Sequence, residues 1–415
     1  MVQEHVGATV RRRDLVVERR PSRADATASS VARSVLDLGP VARSTVARAT
    51  GLSTATVSVV SGRLVETGVL REVPEAAGRP GIGRPTTPLG IDVDRLAVVG
   101  VHLAAPRFTV AVLDLRGRVV DSVRKEYAGP HPSPEDELPR IVAEVRGLIA
   151  RHRAREVVGI GVAAGGRVDP ASGRLVEHPV LGWRDVPLRQ VLSEIGPPVH
   201  VDGHGRSLVR AERLFGEVWS VARRSIVQLF IGNVLDITIA VGDTVHHGPH
   251  SAGGLVAHLP VAHLPVEGHD EPCPCGRTGC LQAAASERVL IRRALAEGIV
   301  DVPDVRVLVE RAQQGDERAR ALFGQRARLV GRAAAMVLDL VNPEVLVVVE
   351  AGCNRVPGML EVLRGEIAER SEVAAERDLE ECVRGSSFPA DVLAVAGGAV
   401  ALDRIYSAPL SRPGT

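Results

Sequence analysis

Near its N-terminus the chain places apolar residues with the period of short helices. Val31, Val35 and Leu38 recur at helical spacing, and the glycine and proline that follow them cannot continue a helix. This pattern predicts a first helix over residues 29–38.

A second and a third helix are expected next, separated by a tight turn. The second covers residues 44–50, and Gly51 supplies the turn. Ser53 is a good N-cap for the third helix, which ends at Gly68. The buried face of the third helix is marked by Val57, Val60 and Leu64. Two helices joined by a glycine turn, the second of them capped, are typical of a helix-turn-helix.

After the third helix the sequence predicts a two-stranded wing. Residues 69–73 have the composition of a strand, residues 78–85 (GRPGIGRP) form a basic tip, and the chain returns at Leu89. We therefore expect a winged helix-turn-helix domain over residues 28–90. Residues 1–27 contain arginine, acidic and small residues without an apolar period, so a disordered basic arm is expected there.

From about residue 93 the pattern becomes that of a large α/β unit. Apolar strands alternate with amphipathic helices, which predicts sheets covered by helices. The clearest predicted strands are residues 96–101, 157–162, 226–231, 237–241 and 345–349.

The charge distribution indicates that the N-terminal part is the one that binds a polyanion. The net charge of the whole chain is only +1, but residues 1–90 carry a net charge of +5 and residues 91–415 one of −4. Apolar residues make up 45% of the sequence, yet no apolar run has the length of a membrane helix and no signal peptide precedes the first helix. A cytoplasmic protein is therefore expected.

These features together predict an interface with double-stranded DNA. A recognition helix presents its first turns to base edges, while wing arginines reach phosphates or the minor groove. The residues expected to contact DNA are Thr54, Ala55, Thr56, Ser58, Val59, Arg63, Arg79 and Arg84. The alternative is a helical bundle that contacts another protein.

The stretch from His250 to Gln282, HSAGGLVAHLPV…CPCGRTGCLQ, resembles the signature of the ROK family of repressors and sugar kinases. That signature is a histidine followed by CxCGxxGCxE. The segments GLSTATVSVVSGRLVETGVL, GIGVAAGGRVDPASGRLV and LGWRDVPL extend the resemblance over nearly the whole chain. It implies a two-lobed actin-like, ribonuclease H-like fold. We expect lobe I at 91–207, lobe II at 208–385, and a segment at 386–415 that returns to lobe I.

Three of the five cysteines fall within eight positions, which indicates metal binding in a reducing compartment. His258, Cys273, Cys275 and Cys280 supply one imidazole and three thiolates, a closed tetrahedral donor set that suits structural zinc. Unmetallated buried thiols are the alternative. Other histidines that could provide the fourth ligand are His246, His247, His250, His263 and His269, but only His258 falls in the family register.

The resemblance also implies phosphate-binding turns that this chain has lost. Where the family carries DxGxT, the sequence has His102, Ala104 and Pro106. Where it carries GTGIG, residues 232–236 read GNVLD, which places bulk and a negative charge beside the phosphate path. Both changes argue against ATP binding.

The residues that handle the sugar in the family are altered as well. With Glu212 matched to the helix glutamate, residues 203–206 (Gly203, His204, Gly205, Arg206) align with the family's NDAN segment, and His204 takes the place of the base aspartate. Leu255 and Gln282 take the places of two sugar-binding glutamates. A cleft lined by Gly165, Gly166 and His204 is still expected between the lobes.

The leading hypothesis from the sequence is a dimeric or tetrameric regulator that binds an inverted-repeat operator and has a possible small-molecule effector, sugar or non-sugar. The enzyme alternative is a sugar kinase fused to DNA-binding helices. A third alternative is a scaffold whose cleft binds no ligand.

Overall fold

The computed structural model describes residues 22–76, 87–129, 131–261, 273, 275–389 and 391–411. The tip of the expected wing and most of the expected N-terminal arm lie outside these residues. The N-terminal unit consists of helices α1 (Arg23–Leu38), α2 (Arg43–Thr50) and α3 (Thr54–Glu66) and strands β1 (Leu70–Glu72) and β2 (Leu89–Ile91).

Helix α1 begins six residues before the predicted start. The side chain of Ser22 caps it by accepting a hydrogen bond from the Asp25 N–H, and Asp25 lies favourably in the first turn. The arm predicted over 1–27 therefore does not extend to residue 27. Residues 23–27 lack large apolar side chains, so their helical structure depends on this cap, which the apolar pattern does not reveal.

The turn between α2 and α3 has the predicted chemistry. Gly51 has a φ of 70°, the left-handed conformation that glycine adopts most readily, and the Ser53 hydroxyl accepts a hydrogen bond from the Thr56 N–H. Strands β1 and β2 pair antiparallel, with Arg71 opposite Gly90. Three helices and a two-stranded ribbon thus form one compact N-terminal unit.

The first lobe is built on a five-stranded sheet. Its elements are β3 (Leu96–Leu103), β4 (Arg107–Asp114), β5 (Val119–Glu126), α4 (Pro134–Arg151), β6 (Glu156–Ala164), β7 (Arg167–Asp169), β8 (Arg174–His178), β9 (Trp183–Val186), α5 (Leu188–Ser193) and β10 (Val199–Gly203). The strand order is β10-β6-β3-β4-β5, and β6 runs parallel to both β3 and β10. The carboxyl ends of these three strands therefore lie at one edge. Strands β7, β8 and β9 form a separate antiparallel sheet.

The second lobe repeats the arrangement of a five-stranded sheet with helices. Its elements are α6 (His204–Phe215), α7 (Trp219–Ala222), β11 (Ser225–Ile231), β12 (Leu235–Val241), β13 (Thr244–Val245), α8 (Leu281–Ala285), α9 (Glu287–Ala296), α10 (Val305–Gln313), α11 (Glu317–Val341), β14 (Val345–Glu350), α12 (Ala351–Arg355), α13 (Met359–Ala368), α14 (Leu379–Cys382) and β15 (Val383–Gly385). The strand order is β13-β12-β11-β14-β15. The boundary predicted at 207/208 falls inside α6, because the buried Leu208 and Val209 continue a helix that begins at His204.

The 25-residue helix α11 packs its apolar face into the core of the second lobe. Its Arg326 is almost fully buried and pairs with Glu350 at 2.6 Å, so this guanidinium is not left without a counter-charge. Among the described helices, none combines the length and the apolar character needed to cross a membrane.

Helix α15 (Val392–Ser407) returns to the sheet of the first lobe and lies very close to it. Gly397 and Gly398 on the helix face Gly100 on β3 and Gly161 on β6. A Cβ atom added to Gly397 would lie 2.6 Å from the backbone nitrogen of Val101. The absence of side chains at these positions allows helix and sheet backbones to touch.

The N-terminal unit packs against α15 and shares one apolar core with the first lobe. Val31 and Val35 of α1 belong to the same buried cluster as Leu402 and Tyr406 of α15. At the edge of this contact the Arg223 guanidinium binds both carboxylate oxygens of Asp37, at 2.6 and 2.9 Å.

Candidate functional sites

Helix α3 presents a small, hydroxyl-rich surface. The exposed residues of this face are Thr54, Ala55, Ser58, Val59 and Arg63, whereas Val57 and Leu64 are fully buried beneath it. Thr56 is half-buried, and its hydroxyl lies 2.8 Å from the Ser53 hydroxyl, so it contributes to the helix cap. Arg79 and Arg84 of the expected wing lie outside the described residues.

Arg43 joins the elements that support this surface. Its guanidinium donates to the Ser61 hydroxyl on α3, to the Thr87 carbonyl and to the Glu72 carboxylate on β1. One side chain of α2 therefore links α3 to β1 and to the segment that leads into β2.

Four potential metal ligands converge between β13 and α8. The ligand atoms of His258, Cys273, Cys275 and Cys280 all lie within 4.8 Å of one another. The Cys273 sulfur is 3.4 Å from His258 Nδ1, and the sulfurs of Cys275 and Cys280 are 3.7 Å apart. One imidazole and three thiols at this spacing could hold a metal ion.

Backbone hydrogen bonds bring the two halves of this cluster together. The Leu281 N–H donates to the Leu259 carbonyl and the Gln282 N–H to the Ala257 carbonyl, which places Cys280 beside His258. Gly276 has a φ of 82°, and its N–H closes a turn onto the Cys273 carbonyl.

The two thiols at the end of the cluster differ in protonation. A hydrogen bond from Arg277 lowers the pKa of Cys275 to about 6, whereas burial raises the pKa of Cys280 to about 11. Of the alternative fourth ligands, His246, His247 and His250 are described but do not join the group. His263 and His269 lie outside the described residues.

Between the lobes, three histidines form a buried layer. His102 at the end of β3 and His204 at the start of α6 have nearly parallel rings with centroids 5.9 Å apart. Phe230 packs on the other side of His204, and Nε2 of His204 lies 2.9 Å from Asp236. The third histidine, His178 at the end of β8, is also about 1% exposed.

His102 and His178 are neutral in this layer. Burial, together with the neighbouring His204, lowers the pKa of His178 to about 4 and that of His102 well below its usual value. Both ring nitrogens of His102 lack a hydrogen-bond partner among the described residues. The position at which the family resemblance implies a phosphate-binding carboxylate is thus occupied by a buried, uncharged imidazole.

We expect this layer to make the protein acid-sensitive. In the unfolded chain His178 has a pKa near 6.5, so between pH 6.5 and about 4 the unfolded state binds more protons than the folded state. Stability should be complete above pH 6.5 and fall as the pH drops towards 4, by about 3 kcal/mol for His178 alone.

Denaturant titrations of the wild type and His178→Asn across this pH range test the expectation. Asparagine retains an acceptor for the Leu181 N–H, which donates to His178 Nδ1 at 3.2 Å, but it does not titrate. The variant should show a flatter profile; equal slopes for the two proteins would contradict the assignment.

The turn between β11 and β12 is held by amide side chains instead of being open to phosphate. Asn233 donates to the Ala105 carbonyl across the cleft at 3.3 Å, and Gln282 donates to the Asn233 carbonyl at 2.9 Å. Gln282 therefore supports the turn. Asp236 at the end of this turn adds a carboxylate that would repel a phosphate group.

Asp202, two residues before the position of the catalytic base in the sequence, is already engaged by other side chains. Asp202 is buried between Arg206 and Arg210, each at 2.5 Å. Burial alone would raise the pKa of Asp202, but the two guanidiniums lower it below its usual value. Glu212 accepts three hydrogen bonds, all from Ser386 and Ser387. Neither carboxylate is available to take a proton from a sugar hydroxyl.

A cavity of about 520 Å³ lies above the histidine layer, between the lobes. Of the residues predicted there, Gly166, Gly203, Leu255 and Gln282 line it, whereas Gly165, His102 and His204 lie behind its wall. The prediction that Gly165 and His204 line the cleft is therefore wrong: Gly165 packs against His178, and His204 is enclosed by His102 and Phe230.

Sequence reasoning missed several residues of this region. His178 belongs to the buried layer, and Arg167, Val180 and Arg288 line the cavity. Two of these four residues, His178 and Val180, lie in the segment HPVLGW. An apolar valine in this turn was the signal that the sequence offered.

Known proteins match this chain over most of its length. Residues 98–397 match the model of the ROK family. The transcriptional regulator Rv0485 of Mycobacterium tuberculosis is 31% identical over 93% of this chain and 87% of its own length. The DNA-binding transcriptional dual regulator NagC of Escherichia coli is 25% identical over 87% of this chain and 85% of its own length.

Solved structures show the same fold. A ROK family transcriptional regulator, a homologue of the Escherichia coli Mlc protein, superposes with a TM-score of 0.72 at 22% identity and covers 93% of this chain and 98% of its own. The ROK glucokinase of Streptomyces griseus superposes with a TM-score of 0.61 at 22% identity, over 73% of this chain and 98% of its own.

Proposed function

Since this chain is a member of the ROK family, we propose that it is a DNA-binding transcriptional regulator whose kinase-like lobes serve association and effector binding. The proposal rests on the exposed face of α3. This helix follows a glycine turn, is capped by Ser53, and packs on the protein through the buried Val57 and Leu64. This is the geometry of a recognition helix. Regulators named among its relatives favour this function over a kinase.

The proposed DNA target is an inverted repeat bound by a symmetric dimer or tetramer, with half-sites on the same side of the duplex. We expect Thr54→Ala and Ser58→Ala to change sequence preference, each lost base contact costing about 1–3 kcal/mol. Footprinting on the protein's own promoter, followed by competition with altered half-sites, measures the effect.

The matched control is Ser30→Ala, an exposed serine on α1. Replacing Arg79 and Arg84 on the expected wing should instead weaken binding to all duplexes alike and flatten its salt dependence. Wild-type protein with no preference over random duplex would refute the proposed function.

We further propose that the Cys/His cluster holds a structural zinc ion. His258, Cys273, Cys275 and Cys280 would hold it, and the ion would link the loop to the start of α8 without an open position for a substrate. The donor set fits zinc because three thiolates and one imidazole complete its tetrahedral shell.

We propose that the lobes do not transfer phosphate. The phosphate turns are altered, the carboxylate of Asp202 is bound by two arginines, and His102 is neutral and buried. No ATP-dependent phosphorylation of hexoses or amino sugars is expected in a coupled assay for ADP. Turnover that disappears in His204→Ala would establish the kinase alternative instead.

A further inference from the structure

The cavity between the lobes combines apolar walls with two arginines to which the described residues offer no counter-charge. Val180 and Leu255 are 44% and 70% exposed, and both line the cavity, one from each lobe. Large apolar side chains exposed in one cavity favour an apolar ligand surface. They offer no hydrogen bond to the hydroxyl groups of a sugar.

Arg167 on β7 and Arg288 on α9 line the same cavity from opposite lobes. Within the part of the chain that the structure describes, neither guanidinium forms an ion pair or a hydrogen bond. Arg167 faces Glu177 across the β7–β8 ladder, but the Glu177 carboxylate binds Arg184 at 2.7 Å. Both arginines therefore have no partner among the described residues and can bind an anion.

Two other charged residues of the cavity wall affect which ligand charge the cavity can hold. Arg206 is bound to Asp202, and Asp236 lies 2.9 Å from His204. Asp236 still places negative charge near the floor, so the two free arginines leave an excess of about one positive charge for the ligand. A singly charged anion matches this excess better than a phosphate dianion does.

We propose that the cavity binds a monocarboxylate with an apolar chain, held by Arg167 and Arg288 at the carboxylate and by Val180 and Leu255 along the chain. The proposal rests on the proposed function, because it names the class of effector that the regulator recognises. A ligand that contacts an arginine from each lobe would favour one relative position of the lobes, and this is how it would change operator affinity.

Isothermal titration of the full-length, metal-loaded protein tests this with octanoate, its neutral analogue octanamide, and glucose. Octanoate should bind saturably, octanamide about tenfold or more weakly because it lacks the charge, and glucose not measurably. Arg167→Gln and Arg288→Gln should each weaken octanoate binding about tenfold. Arg328→Gln, an exposed arginine of α11 away from the cavity, is the matched control.

A further variant, Leu255→Glu, places a negative charge in the apolar wall. Leu255 is 70% exposed, so the protein should still fold with a glutamate there. The variant should weaken octanoate binding by repulsion. Equal affinities for octanoate and octanamide, unchanged binding in both arginine variants, or binding of glucose alone would overturn the proposal.

Operator binding by the ligand-free protein is measured separately. If octanoate does not bind but the operator is protected, only the ligand class is wrong. If octanoate binds but no operator is recognised, the proposed function fails and the cavity assignment stands as a binding property.

Discussion

Replacing Cys275 and Cys280 together by serine is expected to remove the bound zinc completely and to destabilise the second lobe. Wild-type protein should contain one zinc ion per chain. Structural zinc contributes apparent free energies of about 10–16 kcal/mol in zinc-finger peptides, more than the total stability of most domains. The loop here is part of a larger core, so we expect a loss of several kcal/mol and local unfolding before α8.

Elemental analysis and thermal unfolding of the two proteins measure these effects. The matched controls are Cys353→Ser and Cys382→Ser, because both cysteines are buried but lie outside the metal cluster. Both controls should retain the full zinc content. Zinc that persists in the double variant would show that other residues bind it.

The second large effect is expected at the contact between α15 and the first sheet. In Gly397→Val the added Cβ would meet the Val101 backbone nitrogen at 2.6 Å, and the neighbouring Gly100 carbonyl carbon at 2.9 Å. Backbone atoms of a central strand cannot move aside as a flexible side chain does. We expect a loss of about 3 kcal/mol or more, the upper end of the range for overpacked cores.

Denaturant unfolding of Gly397→Val and of Gly365→Ala separates this contact from a general effect of glycine replacement. Gly365 lies in helix α13 and has open space where a Cβ would be placed. Its replacement by alanine should leave stability unchanged or raise it by up to about 1 kcal/mol. A loss of stability in both variants would argue against the steric explanation.

The bounds of helices and strands could be predicted to within a residue or two where a capping residue or a clear apolar run marks the end of the element. Strand β11 was expected over 226–231 and spans Ser225–Ile231, and α3 begins directly after its predicted cap. The start of α1 was missed because a cap and a charged first turn precede its apolar period. Local side-chain chemistry decided that boundary, and periodicity does not report it.

The Cys/His cluster was predictable because its four side chains lie close together in the sequence, within residues 258–280. The histidine layer was not. His102 and His204 are far apart along the chain and meet because β3 and β10 flank β6 and end at the same sheet edge, with α6 starting directly after β10. His178 joins them from β8, which belongs to a separate sheet. Strand order is set by long-range packing, which apolar periodicity alone does not specify.

The free arginines of the cavity were also beyond sequence reasoning. Lysine and arginine together number 51 in this chain, and most described arginines pair with carboxylates or carbonyls. Only the three-dimensional arrangement distinguishes Arg167 and Arg288 from the others. The sequence gives the number of positively charged side chains, but the fold determines which of them have a partner.

Helix α6 connects two regions that a regulator must keep in communication. It begins at His204 behind the cavity wall, and its 12 residues span about 18 Å. In its second turn Arg210 binds Asp403 of α15, a carboxylate that also faces Arg33 of the N-terminal unit. One helix and two ion pairs, at 3.1 and 4.0 Å, therefore connect the cavity wall to the N-terminal unit without an intervening loop.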